Sequence, residues 1–570
     1  MCSSAPSPSR PASEALPGSL SGLGPALLAA GVVGTAHAWY VVLDQRLPRD
    51  PGLYYRQLPA AWEATSAPFS HLADLGHILA SSSGWYNLLL ASGMHVIGRG
   101  PMAFGLATLA WVVLLLVGVA LVTRGLGSGR AALAATLLVG AMPTVVVEGR
   151  TPWIHVPEAA LALACLAAWQ RDPGLERRLG ALAVALAGVL LITLRESGLV
   201  WAATLAPLLI WSGSGRRRWR RILLVLTCWA VAALVPLVEL QAYLSAKFGA
   251  RERYEDQLPD LVEQTVSNLS WPVIWAVLGG LVLMALPPLA LSKRPARVVL
   301  AAWVLAALGM WAAFRAGLDN FTPAAAALGI LAGLGLSRLG SWGVLPALGA
   351  FAVVTLPQAL PVRQVAPFAQ LPGFPDYLLG EHPNNYYRPW RGFAQREVQA
   401  LLSAVCPAGR EEPCVVVTGH GMFSPFTEDP GELELFLLGR QDVKLVSLRE
   451  SPHPPELAHV DALVTYRCPD REAAWRERYP YAADNRANMI WTHDFRPIWT
   501  MRLYGECRTL WMTPQGEVPN EAALPTRGQR LYGTEEFLPE NRPLAPPLEG
   551  GRWLGGDPQP EVPPKPPLGG

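Results

Sequence analysis

The sequence predicts an α-helical polytopic membrane domain of about eleven transmembrane helices, followed by a small α/β domain outside the membrane. Three observations carry this expectation. Windows without a single Asp, Glu, Lys or Arg recur at Pro101–Thr123, Ala131–Val147, Ile222–Val238, Trp271–Ser292 and Val298–Phe314, and a helix needs ~17–25 such residues to cross a bilayer. Charged residues make up 16% of the 570-residue chain, against roughly 25% in soluble domains. After Pro361 the apolar runs give way to mixed segments with short β-branched stretches. A soluble enzyme, a secreted disulfide scaffold and a wholly disordered chain are thereby excluded.

The spans fall near 21–43, 101–123, 131–147, 153–170, 179–194, 197–213, 222–243, 271–291, 298–314, 321–337 and 342–361. The loops between them alternate in character. One set is short and basic: Arg124 to Arg130, Arg171 to Arg178, Arg216-Arg217-Arg218-Trp219-Arg220-Arg221, Lys293-Arg294 with Arg297, and Arg338. The other set mixes acids, bases and His. Short basic loops mark the cytoplasm, so the N-terminus is expected inside a multi-pass cytoplasmic (inner) membrane protein and the C-terminal third outside, periplasmic or extracellular.

The first span ends in Ala36-His37-Ala38, which resembles a signal-peptidase site. The apolar run nevertheless continues through Trp39–Leu43 after a long leading segment with one Arg, which favours a retained helix. Trp85–Gly98 is apolar but too short to span comfortably, so an interfacial or re-entrant helix on the outer face is expected there. The long outer loop around Lys247–Asn268 reads as a solvated surface helix, with a lid over the substrate as the alternative.

Residues 1–20 form a cytoplasmic segment, 21–361 the transmembrane domain and 362–519 the outer domain. Residues 520–570, rich in Pro, Gly and Glu, read as a disordered tail. Strands are expected at Cys414–Thr418, Val443–Val446 and Val460–Tyr466. Cys165 and Cys228 lie in apolar spans and read as inert. Cys406, Cys414, Cys468 and Cys507 fall in the outer domain, where an even set favours two disulfides, Cys406–Cys414 and Cys468–Cys507 leading among three pairings. Zinc is disfavoured because no CxxC pair occurs. The net charge of +2 by itself says nothing about nucleic acid, because the bases sit in short clusters between apolar runs; the lipid bilayer is the expected surrounding partner, and no nucleic acid is expected.

Ionisable groups at the outer edges of spans are the informative ones, because burying them there is expensive. The loop after span one reads Asp44-Gln45-Arg46-Leu47-Pro48-Arg49-Asp50-Pro51-Gly52-Leu53-Tyr54-Tyr55. Further on come Gly84-Trp85-Tyr86-Asn87-Leu88-Leu89-Leu90-Ala91, Glu148-Gly149-Arg150-Thr151, Thr193-Leu194-Arg195-Glu196-Ser197-Gly198 and Asp319-Asn320-Phe321-Thr322-Pro323. In order, spacing and topology these stretches resemble the polytopic glycosyltransferases of the GT-C superfamily, of the protein O-mannosyltransferase and lipid A aminoarabinose transferase type. Their first outer loop carries an acidic pair followed shortly by Tyr. Asp50 stands four residues before Tyr54, while Pro51 occupies the place of the second acid. The resemblance covers about residues 20–360.

It implies a cell-envelope enzyme that moves a sugar, hexosyl or pentosyl, from a polyprenyl-phosphate donor to a glycan, lipid or protein acceptor at the outer membrane face. An acceptor hydroxyl attacking the anomeric carbon needs one carboxylate as base, opposite the leaving group. Asp50 is the leading candidate and Asp44 the second. The departing lipid phosphate needs cations, and Arg150, Arg195 and Arg315 lie at outer span ends, where a planar guanidinium can hold phosphate. Tyr54 belongs to the first-loop motif. Glu148, His155 and Glu158 are candidates to orient base or acceptor, and the i, i+3 spacing of His155 and Glu158 puts both on one helix face.

Each residue also has a structural reading. Asp50 before Pro51-Gly52 is a turn signature, Arg195-Glu196 can tether two helices, and Arg315 can snorkel. No cofactor is assigned; a divalent cation (Mg or Mn) stays open, a lone carboxylate being a poor site for one. The rival function is a transporter or flippase for a lipid-linked substrate, which tends to show internal repeats; none is visible in this chain. In the outer domain, Thr418-Gly419-His420-Gly421 reads as a tight turn, and His493-Asp494 comes without a nucleophile motif.

Overall fold

The computed structural model describes residues 22–44, 55, 57–150, 154–212, 215–251, 269–286, 295–314 and 322–358 of a helical unit. Of a second unit it describes 405–407, 413–418, 436, 439–440, 442–447, 460–465, 490, 494–503, 506–512 and 529–530. The helical unit ends at Arg391.

The helical unit comprises α1 (Gly24–Asp44), α2 (Leu58–Ser66), α3 (Leu72–Leu79), α4 (Gly84–Ile97), α5 (Pro101–Leu126), α6 (Gly129–Ala141), α7 (Pro143–Arg150) and α8 (His155–Arg171). It continues with α9 (Arg178–Leu194), α10 (Ser197–Trp211), α11 (Arg216–Arg251), α12 (Trp271–Ala285), α13 (Pro295–Phe314), α14 (Thr322–Leu336) and α15 (Val344–Gln358). A helix stands at each of the eleven predicted positions. Among the described residues, three stretches, Met102–Leu126, Arg216–Leu237 and Thr322–Val354, are long and apolar enough to cross a membrane, and five further apolar helices are shorter.

Local chemistry explains several boundaries. Pro101 opens α5 at a position where its missing N–H is not needed. Ser128 caps α6 by accepting from the Ala131 N–H at 3.2 Å. The predicted run 131–147 is two helices rather than one. Met142 is extended (ψ 123°) because the ring of Pro143 disfavours the helical conformation in the residue before it. The expected short helix after Trp85 is present as α4. α11 runs on through Lys247 to Arg251; residues 252–268 of the expected outer loop lie outside the described ones.

Close approaches set the helix directions. A methyl on Gly34 would meet Val113 at 2.8 Å and one on Gly105 would meet Val41 at 2.6 Å, so α1 and α5 run antiparallel. Contacts of Gly118 with Leu163 and Gly125 with Gln170 make α5 and α8 parallel. Cys165 Sγ donates to the Val184 carbonyl near mid-helix, and His155 meets Arg195 at the end, so α8 and α9 are antiparallel. Gly329 against Val139 and Gly333 against Ala135 oppose α14 to α6. One end of the unit therefore gathers the end of α1, the start of α8, the end of α9 and the start of α14. The opposite end gathers Arg124, Arg171, Arg178 and Arg338, the last two at the start of α9 and just past α14.

The second unit holds a six-stranded sheet in the order β2-β1-β3-β5-β4-β6, with β1 Cys414–Thr418, β2 Val443–Ser447, β3 Ala462–Thr465, β4 Arg496–Leu503, β5 Glu506–Met512 and β6 Gln529–Arg530. β2, β1 and β3 are parallel and the rest antiparallel. Val417, Leu463, Phe495 and Trp511 form its buried core. The expected Cys406–Cys414 disulfide is formed. Cys507 lies on β5, and Cys468 lies outside the described residues. β6 falls inside the stretch read as a disordered tail: Gln529 and Arg530 pair with Thr500 and Trp499, because the edge of β4 offers unpaired backbone groups. Beside β2, Arg440 donates two hydrogen bonds to Asp442, at 2.8 and 2.9 Å, and these hold the Asp442 carboxyl below the ordinary carboxylate range.

α12 and α14 approach each other at backbone distance. A methyl on Gly335 would lie 1.8 Å from the Gly280 carbonyl oxygen. Gly335→Ala is expected to destabilise the purified protein by about 1–3 kcal/mol, seen as a lower Tm. Gly349→Ala, on an exposed position with open space around it, is expected to stay within about 0.5 kcal/mol of wild type.

Candidate functional site

The predicted site residues fall into three groups. Asp50, Tyr54 and Arg315 lie outside the described residues. Asp44 is the last residue of α1, and Glu148 and Arg150 close α7. His155, Glu158, Arg195 and Glu196 are described in full, and the structure brings them together.

His155 and Glu158 open α8 one turn apart, as their spacing predicts, and both side chains are fully buried. Arg195 joins them from forty residues further along the chain. Its Nη1 lies 2.6 Å from His155 Nδ1 and 3.3 Å from Nε2. A guanidinium can only donate, so the ring nitrogen it meets carries a lone pair and the imidazole is neutral in this contact. Glu158 Oε2 sits 3.7 Å from His155 Nδ1. Its Oε1 accepts from the Trp201 indole N–H at 2.9 Å and from the Ser197 hydroxyl. Glu196 flanks the group, 3.9 Å from Arg195 Nε.

The backbone around Arg195 is shaped to deliver it. α9 ends at Leu194, and Arg195 is extended (φ −164°, ψ 160°). The chain then turns straight into α10, closed by bonds from Gly198 N–H to the Arg195 carbonyl and from Leu199 N–H to that of Glu196. A methyl on Gly198 would lie 2.0 Å from the Leu191 carbonyl oxygen, so only glycine lets α10 return this close to α9. Ser83 fixes the junction from the other side. Its N–H donates to the Thr193 carbonyl at 3.0 Å and its hydroxyl to the Leu194 carbonyl at 2.8 Å. Both carbonyls end a helix and lack helical partners. Ser83 does this from a left-handed conformation (φ 61°), and Gly84 behind it has no room for a side chain, its Cβ position lying 1.6 Å from the Ile78 carbonyl oxygen.

α1 reaches the same end. His37, buried on α1, packs against Gly149 of α7, where a methyl would lie 3.0 Å from the ring. Arg150 follows Gly149 directly, and His155 comes five residues later. Tyr55, where the described chain resumes after the first loop, is buried with its ring edge-on to Phe104 at 5.0 Å and 6.1 Å from Tyr86. Ser83, Ser197, Trp201, His37 and Tyr55 were not among the residues the sequence singled out. Ser197 and Trp201 are four apart on one helix face, a spacing that could have flagged them as joint partners of Glu158.

Neither His155 nor Glu158 suits a divalent cation here. The imidazole faces a guanidinium, and one carboxylate oxygen is taken by two donors. Among the described residues, no three His, Cys, Asp or Glu side chains gather to hold a metal ion. The arrangement is a buried charge cluster that ties three helices together.

Removing the carboxylate would strand the buried Trp201 indole N–H and the half-buried Ser197 hydroxyl beside a buried cation. Glu158→Ala is therefore expected to cost about 3–5 kcal/mol of stability, read as a fall in Tm. Glu158→Gln keeps an acceptor for Ser197 and Trp201 and is expected to cost less.

No protein-family model and no curated protein sequence matches the chain. Among solved structures, the chain is similar to ArnT from Cupriavidus metallidurans in the apo state, at 16% identity and a TM-score of 0.48, over 85% of this chain and 97% of that one. It is likewise similar to the same ArnT bound to undecaprenyl phosphate, at 17% identity and a TM-score of 0.45, with the same coverage. An oligosaccharyltransferase from Archaeoglobus fulgidus, tethered with an acceptor peptide, is similar at 11% identity and a TM-score of 0.42, over 89% of this chain and 75% of that one.

Proposed function

We propose that the chain is an integral-membrane glycosyltransferase of the GT-C type, moving a sugar from a polyprenyl-phosphate donor to an acceptor hydroxyl at the outer face of the cytoplasmic membrane. The observation that carries this reading is the buried His155–Glu158–Arg195 cluster. It lies at the end of the helical unit where α1 leads towards Asp50 and α7 ends in Arg150. Acidic and guanidinium groups from distant stretches recur at that one end, and such groups in a membrane domain mark function more often than structure.

In the proposed reaction Asp50 takes the proton of the acceptor hydroxyl as its oxygen bonds to the anomeric carbon. The bond from that carbon to the polyprenyl phosphate breaks, and the phosphate oxygen leaves with the electron pair. Asp44 is the second candidate for the base. Arg150 and Arg315 stabilise the developing phosphate charge, Tyr54 and Glu148 line the substrate, and Glu196 balances Arg195. Arg195, held at Nη1 by His155, adds a fixed positive potential whose strength grows as water is excluded. His155 and Glu158 act through Arg195 and are positioning residues. The N-terminus lies in the cytoplasm and the second unit on the outer side. No step is routed through a metal ion.

A membrane assay with a radiolabelled undecaprenyl-phosphate sugar tests this. Wild type is expected to transfer label, and Asp50→Asn to lose about 100-fold or more in rate. Equal transfer by both would remove Asp50 from the chemistry. Failure of wild type with every such donor, alongside donor-lipid translocation in vesicles, would favour a flippase instead.

A further inference from the structure

Ser83 makes more bonds than a turn residue needs. It is buried, and its own carbonyl accepts from the backbone N–H and the side-chain amide of Asn87, each at 3.0 Å. Its donors go to a distant part of the chain. The backbone N–H reaches the Thr193 carbonyl, and the hydroxyl reaches that of Leu194, 111 residues further along.

Carbonyls at a helix end are commonly satisfied by a left-handed residue just past it. α9 has none, because Arg195 is extended. Here the capping residue from elsewhere is the left-handed one: Ser83 is among four non-glycine residues with positive φ in the described chain. Glycine would adopt that backbone without strain and would still donate its N–H to Thr193. What serine adds at this position is the hydroxyl bond to Leu194.

That bond acts on Arg195 directly. The Leu194 carbonyl shares one rigid plane with the Arg195 N–H and Cα. Holding the oxygen therefore fixes the plane and the direction in which the Arg195 side chain leaves the backbone. The tip of the side chain is held separately, by His155 at Nη1. A displacement of about 1 Å at a reacting site can cost on the order of 100-fold, so the base of the side chain matters as much as its tip. We propose that Ser83 is a positioning residue for recognition of the donor phosphate, its hydroxyl aiming the Arg195 guanidinium through the peptide plane before it. The inference rests on the reading above, in which Arg195 supplies positive potential to a polyprenyl phosphate.

The test titrates undecaprenyl phosphate and undecaprenol into the purified full-length protein in neutral detergent. The two lipids share a chain and differ in the phosphate. Apparent affinity is read by native mass spectrometry, and Tm is measured without lipid. Ser83→Gly is expected to keep a Tm close to wild type, because relief of the left-handed serine offsets the lost bond. α4 also keeps its other anchors, Tyr86 against Tyr55 and Trp111. Undecaprenyl phosphate is expected to bind this variant roughly 10-fold more weakly than wild type, and undecaprenol equally well. Ser83→Cys, similar in size but a weak donor, is expected to show the same phosphate-selective loss and decides the matter if the glycine variant does not fold. An unchanged affinity for undecaprenyl phosphate, or an equal loss for both lipids, would overturn the proposal and leave the donor reading standing. Wild type binding the two lipids equally would overturn that reading and this inference with it.

Discussion

Taking a carboxylate and a guanidinium out of water costs several kcal/mol per ion, and their mutual attraction offsets this only when the remaining polar groups are satisfied. That requirement organises the helical unit. Glu158 enters from α8, Arg195 from the α9–α10 junction, and Ser197 and Trp201 from α10. No two of these elements could satisfy the group by themselves. The neutral His155 ring lies between the two charges, accepting from the cation and standing 3.7 Å from the anion. Moving any one helix would leave a buried charge or donor without a partner. The cluster therefore sets the positions of three helices, and Ser83 extends its hold to α4 through the two carbonyls before Arg195.

Such a polar constraint can dominate because apolar packing in this chain is permissive. Lipid-facing leucines gain little from choosing one neighbour over another when the solvent is itself apolar. What fixes the helices elsewhere is close approach at small residues. Gly280 and Gly335 bring the backbones of α12 and α14 together, and Gly333 does the same for α14 and α6. These contacts set direction and register but carry no charge. They make the frame, and the cluster at one end makes that frame specific.

Much of this was legible in the sequence, and the exceptions have physical causes. Uncharged runs located a helix at all eleven predicted positions, and β-branched runs located β1, β2 and β3. The pairing of Cys406 with Cys414 followed from short separation in an even set. The break at Met142 was signalled by Pro143 but masked by an unbroken apolar run, since hydropathy reports burial and not backbone conformation. The spacing of His155 and Glu158 gave their shared face. Their meeting with Arg195 is a long-range contact that no local pattern encodes. Ser83 reads in sequence as one residue of a Ser-rich turn, and only its two bonds to helix-end carbonyls reveal its task. β4 was missed because Pro497 interrupts the alternation, and the ladder takes it up as a register shift between Pro497 and Trp499.

The two ends of the helical unit handle charge in opposite ways, and this decides what each can recognise. At the site end, acid and base are buried and locked together, so their field is weakly screened and fixed in direction; recognition there depends on geometry. At the arginine end, side chains of one sign stand in the open beside exposed leucines, so attraction is long in range, tolerant of shape and readily screened.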